Sequence, residues 1–247
     1  MKLLSKLLQN KFLLICLLLT QAGVGYAEPL SFDLGSGAGV TSRVVQMMGL
    51  VTILSLAPSI LVMVTSFTRI IIVLSFLRNA IGLQQSPPNS VLISLALFLT
   101  AFIMAPTFEV AYREGIAPLL EERIDEKAAW PKIVKPFHKF MFEQTREKDL
   151  ELFLSISKKN FELSEDIPLQ ILTPAFMISE LRRSFEIGFL IFIPFLIIDL
   201  LVSSILMAMG MMMLPPVTIS LPFKLIFFVI IDGWYMICGS LVKSFGG

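Results

Sequence analysis

Four charged side chains stand in stretches that are otherwise apolar: Arg69, Asp199, Lys224 and Asp232. In a low-dielectric setting such groups either pair with one another or line a path for protons or ions, because an unpaired charge there costs several kcal/mol. If the segments on either side of Met213 run antiparallel, Asp199 lies about 21 Å up one arm and Lys224 about 16 Å up the other. That offset is about 5 Å along the axis, so the two can meet, although a partner from another chain would serve equally. Arg69, flanked by apolar residues on both sides, must reach an acid or carbonyl groups, at a contact between helices or between subunits. Glu180, Arg182, Arg183 and Glu186 place opposite charges three and four positions apart. This is the pattern of a solvated, self-paired helix face.

The second unusual group is the stretch Met207–Pro216, MAMGMMMLPP, with five methionines and no charge. Gly210, Pro215 and Pro216 mark it as a turn, and a turn between membrane-embedded segments is normally polar because it surfaces in water. Three adjacent thioethers at Met211, Met212 and Met213 therefore imply a turn covered by something, either packed at a hairpin tip or acting as an adaptable seal.

Enzymatic signals are missing. His138, the sole histidine, has no Cys or His at metal-binding spacing, and neither a phosphate-binding glycine loop nor a nucleophile elbow occurs. Neither an enzyme nor a cofactor is implied. The net charge of +1 argues against a nucleic-acid partner.

The elements that must position these groups follow from the hydropathy. The chain has 55% hydrophobic and 16% charged residues and a mean hydropathy of +0.82. That balance fits an integral membrane protein. Residues 1–27 read as a secretory signal, with Lys2, Lys6 and Lys11 before a nine-residue apolar core (Phe12 to Thr20) and cleavage after Ala27. Cys16 lies within it, leaving Cys238 alone and no intrachain disulfide. Residues 28–43 form a flexible lead rich in glycine and serine. Residues 44–108 make a first hydrophobic hairpin: Val44 to Leu77 holds Arg69 alone as a charge, and Val91 to Ala105 runs up to Pro106. Pro58 offers a kink, Gly82 a helix stop, and Pro106 an end to the second arm. Residues 109–184 hold 12 basic and 14 acidic residues. They read as a water-facing set of amphipathic helices, Glu109 to Lys127, Pro131 to Lys159 and Ser164 to Glu186. Residues 185–247 make the second hairpin, with Pro194 and Pro222 as candidate kinks. The expected fold is thus an all-α membrane protein with nominally four transmembrane helices in two hairpins. With the N-terminus outside, residues 109–184 face outside as well, and the methionine turn faces the cytoplasm.

Three passages, TSFTRIIIVLSFLRNAIGLQQSPPN (Thr65 to Asn89), FMISELRRSFEIGFLIFIPFLIIDL (Phe176 to Leu200) and MAMGMMMLPPVTISLPFKLIFFVIIDGW (Met207 to Trp234), closely resemble the FliP family of type III export gate proteins. The resemblance covers nearly the whole chain after residue 43. It implies a core subunit of the flagellar export gate in the bacterial inner membrane, at the basal body, with a large periplasmic portion. Several copies, five in the family, would join FliQ-type and FliR-type chains into a helical oligomer around a passage for unfolded flagellar proteins. FlhA-type and FlhB-type export components would be neighbours. It also places the family's methionine gasket on Met211, Met212 and Met213, and its buried charge contacts on Glu180, Asp199 and Lys224. A four-span ion channel or secondary transporter subunit is the alternative, as is a scaffold without a passage of its own.

Overall fold

The computed structural model describes residues 39–157, 167–211 and 213–246. The signal segment, its cleavage site at Ala27, most of the lead and Met212 lie outside the described residues. Every regular element among those described is helical: α1 (Gly39–Met63), α2 (Phe67–Ile81), α3 (Asn89–Ala111), a π turn (Tyr112–Ile116), α4 (Ala117–Leu120), α5 (Glu126–Gln144), α6 (Glu147–Ser157), α7 (Leu169–Ala208), α8 (Pro216–Ile230) and α9 (Gly233–Lys243). The chain divides into two units, Met1–Leu54 and Ser55–Gly247. In the first, the leading part of α1 exposes Val45, Met48, Leu50 and Val51. All that follows concerns the second.

The segment from Val44 to Leu77 breaks at residues 64–66, not at Pro58, which lies within α1. Polar side chains mark the break. Thr65 Oγ1 and Thr68 Oγ1 both donate to the carbonyl of Val62, capping the end of α1 in place of further helix. α2 then stops at Gly82, whose left-handed φ of 91° lets its amide return to the carbonyls of Arg78 and Asn79. Pro106 does not end the second arm. It sits inside α3, which continues through the π turn into α4, so that Asn89–Leu120 forms one candidate membrane span of 32 residues.

α7 is the element on which the others converge. It is 40 residues long and runs from the charged region straight into the apolar one. At helical rise it reaches about 60 Å, roughly twice the thickness of a hydrocarbon core. The expected third amphipathic helix and the first arm of the second hairpin are therefore one element, and the boundary at 184/185 falls inside it. Similarly, the expected helices from Glu109 onward resolve, over the described residues up to Ser157, into the tail of α3, the π turn, α4, α5 and α6. Pro194 and Pro222 lie within α7 and α8, each leaving one carbonyl without its helical donor. The break in the last segment falls instead at Ile231–Asp232, where α8 and α9 diverge by 63°. Two helices among the described residues are long and apolar enough to cross a membrane, three if α8 and α9 count as one bent span; the sequence suggests four.

Three apolar clusters hold the unit together. Leu150, Ile171, Leu172 and Phe176 join α6 to α7, with Phe153 and Leu154 packed alongside as the apolar spacing in α6 requires. Ile70, Val73 and Leu74 pack on Leu92, Ala96 and Leu241, joining α2 to α3 and α9. Leu77, Ala80 and Ile81 meet Phe195 and Phe228, joining α2 to α7 and α8. The α2–α7 approach depends on Gly188: a Cβ there would lie 2.6 Å from the Phe76 ring and 3.2 Å from Phe76 Cβ. Glycine to alanine within a helix ordinarily stabilises by about 1 kcal/mol. We expect the opposite sign for Gly188→Ala, a net loss of about 1–2 kcal/mol from overpacking, read as a lowered thermal midpoint of the detergent-solubilised protein.

Candidate functional site

Three charge clusters lie along α7, and each ties it to different neighbours. In its first half, Glu180 meets Arg69 from α2, and the two residues are 0% and 1% exposed. Arg69 Nε donates to Glu180 Oε2 at 2.9 Å and Nη2 donates to Oε1, a bidentate pair. Nη1 donates to the carbonyl of Ser244 at 3.1 Å and to its hydroxyl at 3.0 Å, and Nη2 donates to Gln144 Oε1 at 3.2 Å. A guanidinium has five N–H groups, and these five contacts use them all. The Phe245 ring lies 3.6 Å from the guanidinium carbon and covers its face. One side chain thereby connects α2, α5, α7 and the residues after α9.

The surroundings of Glu180 differ from the sequence expectation. Arg182 and Glu186 do pair on the exposed face, at 2.8 Å, but Glu180 leaves that face and turns to Arg69. Arg183 instead donates to Gln144 Oε1 at 3.1 Å, lying on the rim of the same cluster. The i,i+3 spacing permits a Glu180–Arg183 pair. The buried guanidinium, with nowhere else to place its charge, takes the carboxylate.

The second cluster lies toward the turn. Lys224 Nζ, on a residue 4% exposed, donates to Asp199 Oδ2 at 2.6 Å and to the carbonyl of Ala80 at 3.3 Å. Ser220 Oγ donates to the other carboxylate oxygen at 2.5 Å. Ala80 belongs to the last turn of α2, whose carbonyls lack helical donors, so the ammonium also satisfies a helix C-terminus. α2, α7 and α8 are joined here.

The third cluster is outside the apolar segments. Asp149 in the first turn of α6 accepts from Arg146 Nε at 2.9 Å, Arg146 Nη2 at 2.6 Å and Ser179 Oγ at 2.7 Å. Burial pushes its carboxyl up, but the hydrogen bonds from Ser179 and Arg146 outweigh this and hold it below the ordinary aspartate range.

The remaining groups singled out by the sequence are exposed. Asp232 is not buried: it lies at the surface, at the break before α9, with a left-handed φ of 50°. Gly210 takes a φ of 74° just after α7 and reverses the chain. Met211 is 43% and Met213 99% exposed, as is much of Met207 and Met209, so nothing in the described chain covers the methionine turn. Pro215 and Pro216 end the turn, Pro216 opening α8 at a position where a missing N–H costs nothing.

Some members of these clusters carry no sequence signal. Ser244, Gln144 and the Ala80 carbonyl meet their cations only through the tertiary packing. Ser220 is legible, one turn before Lys224, and Arg146 with Asp149 is an ordinary i,i+3 pair. No group of three or more metal-ligating side chains occurs among the described residues.

Comparison with known proteins agrees in extent with the match of these segments. The FliP family model matches residues 50–241. A flagellar biosynthetic protein FliP of Caulobacter vibrioides is 60% identical over 217 residues, 87% of this chain and 82% of the relative. The protein of that name from Rhizobium meliloti is 49% identical over 237 residues, 94% of this chain and 97% of the relative. The one from Bacillus subtilis is 55% identical over 205 residues, 83% and 93% respectively.

Proposed function

The chain belongs to the FliP family, and on that premise we propose that it is a core subunit of the flagellar type III export gate, forming with further copies and with FliQ-type and FliR-type chains the passage for unfolded flagellar proteins across the inner membrane. The observation that carries this reading is the methionine turn. It has no charge, it is held by a left-handed glycine and two prolines, and Met213 is almost fully exposed. Burying an apolar side chain gains roughly 1.5–3 kcal/mol, so a cluster of bare thioethers favours a setting in which other chains cover it. Met211, Met212 and Met213 from several copies would form the gasket. Unbranched thioethers pack without voids, and because each has several rotamers the ring would yield to a passing chain and close behind it.

The other features support the same reading. α7 exposes Phe185, Phe189, Leu190, Leu196, Ile197, Leu200, Leu201 and Ile205, far more apolar surface than a water-soluble monomer tolerates. Helices much longer than a bilayer, such as α7, suit a conical stack that rises out of the membrane rather than a set of simple spans. In this reading the hairpins are formed by α2 with α3 and by α7 with α8 and α9. The Arg69–Glu180 and Asp199–Lys224 clusters lock the subunit rather than conduct ions. Energy for transport would reach the gate through FlhA-type and FlhB-type components.

Purification distinguishes this from an ion channel or transporter. Extracted from native membranes, the protein is expected to carry two other small hydrophobic chains with it in fixed proportion. A homo-oligomer that conducts without further subunits would replace the gate reading with the channel reading.

A further inference from the structure

Between α7 and α9 lies a slot of about 360 Å3, walled by Ile187, Leu190 and Ile191 on one side and by Met236, Ile237 and Leu241 on the other. From Met236 to Ser244 its α9 wall is about 12 Å long. The Ser244 end adjoins the Arg69 cluster: Arg69 donates to Ser244 and to Gln144 Oε1, and Arg183 donates to the same Gln144 oxygen. Helical spacing puts Arg183 on the face of α7 that carries Ile187 and Leu190, and Lys243 on the face of α9 that carries Met236. The acids near this end are already held, Glu180 by Arg69 and Glu186 by Arg182. Arg183 and Lys243 are therefore left without a counter-ion there among the described residues. They stand where α7 passes from its charged into its apolar part, and the slot continues from them into the apolar part.

We propose that this slot binds an anionic phospholipid, with one acyl chain between α7 and α9 and the headgroup phosphate held by Arg183 and Lys243. Size separates a lipid from a protein helix. A helix about 10 Å across fills roughly 120 Å3 per residue at its rise, so the slot has the volume of roughly three helical residues. A helix of a second copy or of another chain would lie over it and leave most of it empty, whereas a hydrocarbon chain enters and restores the contacts that the facing walls lack. Charge selects the headgroup: a phosphate accepts from guanidinium and ammonium donors together, and basic pockets between membrane helices suit such groups. Phe185, Phe189 and Leu196 are exposed on the opposite face of α7, so a lipid here leaves that face to protein neighbours. The inference requires that these helices lie in a membrane and does not depend on the gate reading.

The complex containing the full-length chain, extracted from native membranes and depleted of lipid in detergent, is given phosphatidylglycerol or phosphatidylcholine bearing the same diazirine in the acyl chain. Phosphatidylglycerol is expected to label the segments holding Leu190 and Met236 at least fivefold more than phosphatidylcholine does. Arg183→Gln with Lys243→Gln should lower its labelling to the phosphatidylcholine level, while Arg183→Lys with Lys243→Arg retains most of it. Lys243→Gln alone, at an exposed side chain, guards against misfolding and should lower labelling at least twofold. Equal labelling by the two lipids, or undiminished labelling in the glutamine variants, overturns the inference. In intact cells a photo-crosslinking residue at Leu190 should yield a lipid adduct. A protein adduct without a lipid adduct, whether to a second copy or to another chain, overturns it as well.

Discussion

Glu180→Ala is expected to cost the folded subunit about 3–5 kcal/mol and to remove it from the membrane, because it leaves a buried guanidinium without its charge partner. Arg69 is 1% exposed, and two of its five N–H groups point at Glu180. Rotation of Arg69 toward solvent would break its contacts with Ser244, Gln144 and Phe245 together, and water cannot replace the carboxylate at that depth. The abundance of the protein in isolated membranes, followed by immunoblot, reads the effect. Glu180→Gln keeps one acceptor and loses the charge, and should fall between wild type and alanine. Replacing both partners, Arg69→Met with Glu180→Leu, should recover much of the abundance, since an apolar pair of similar volume removes the stranded charge. Wild-type levels of Glu180→Ala would show that Arg69 has a solvent route absent from this packing.

Lys224→Ala is expected to be the next most severe, by about 2–3 kcal/mol, the worth of a hydrogen bond to a charged group plus its burial. The smaller figure follows from Asp199, whose side chain is 25% exposed and keeps the Ser220 hydroxyl after the lysine is gone. The Ala80 carbonyl loses a donor as well. Exchanging the charges, Asp199→Lys with Lys224→Asp, should rescue export-dependent motility in part: Ser220 can still serve the pair, but an aspartate at 224 would face the Ala80 carbonyl rather than donate to it. If both alanine variants are defective and the exchange rescues nothing, pairing within the chain is not what the two residues are for.

The sequence makes the Asp199–Lys224 contact legible because one short turn fixes the register of the two arms, and counting back from it needs only the helical rise. It does not make the Arg69–Glu180 contact legible. These residues are 111 apart, on helices joined by several others, and the local rule offers Glu180 a nearer partner in Arg183. The break points mislead for a related reason. Pro58, Pro106, Pro194 and Pro222 all lie within helices, since a proline removes one backbone hydrogen bond and the remaining helical bonds carry the axis through. The actual breaks occur at Thr65–Ser66, where hydroxyls satisfy the carbonyl of Val62, and at Asp232, where the backbone is left-handed. The all-helical class follows from composition and apolar run lengths. α7 passes unbroken across residue 184, because a change from charged to apolar residues marks a change of surroundings and not of backbone.

The methionine turn carries the central claim, and membrane conductance tests it most directly. Met211, Met212 and Met213 replaced together by alanine should leave the assembly intact, since these side chains contribute no charge contact and at least Met211 and Met213 are exposed in the single chain. The seal itself would lose its bulk, so cells holding the variant complex are expected to leak ions and small solutes that the wild-type gate retains. Conductance across membranes containing the correctly assembled triple variant should rise above the wild-type level. An unchanged conductance in that assembly would contradict the gasket.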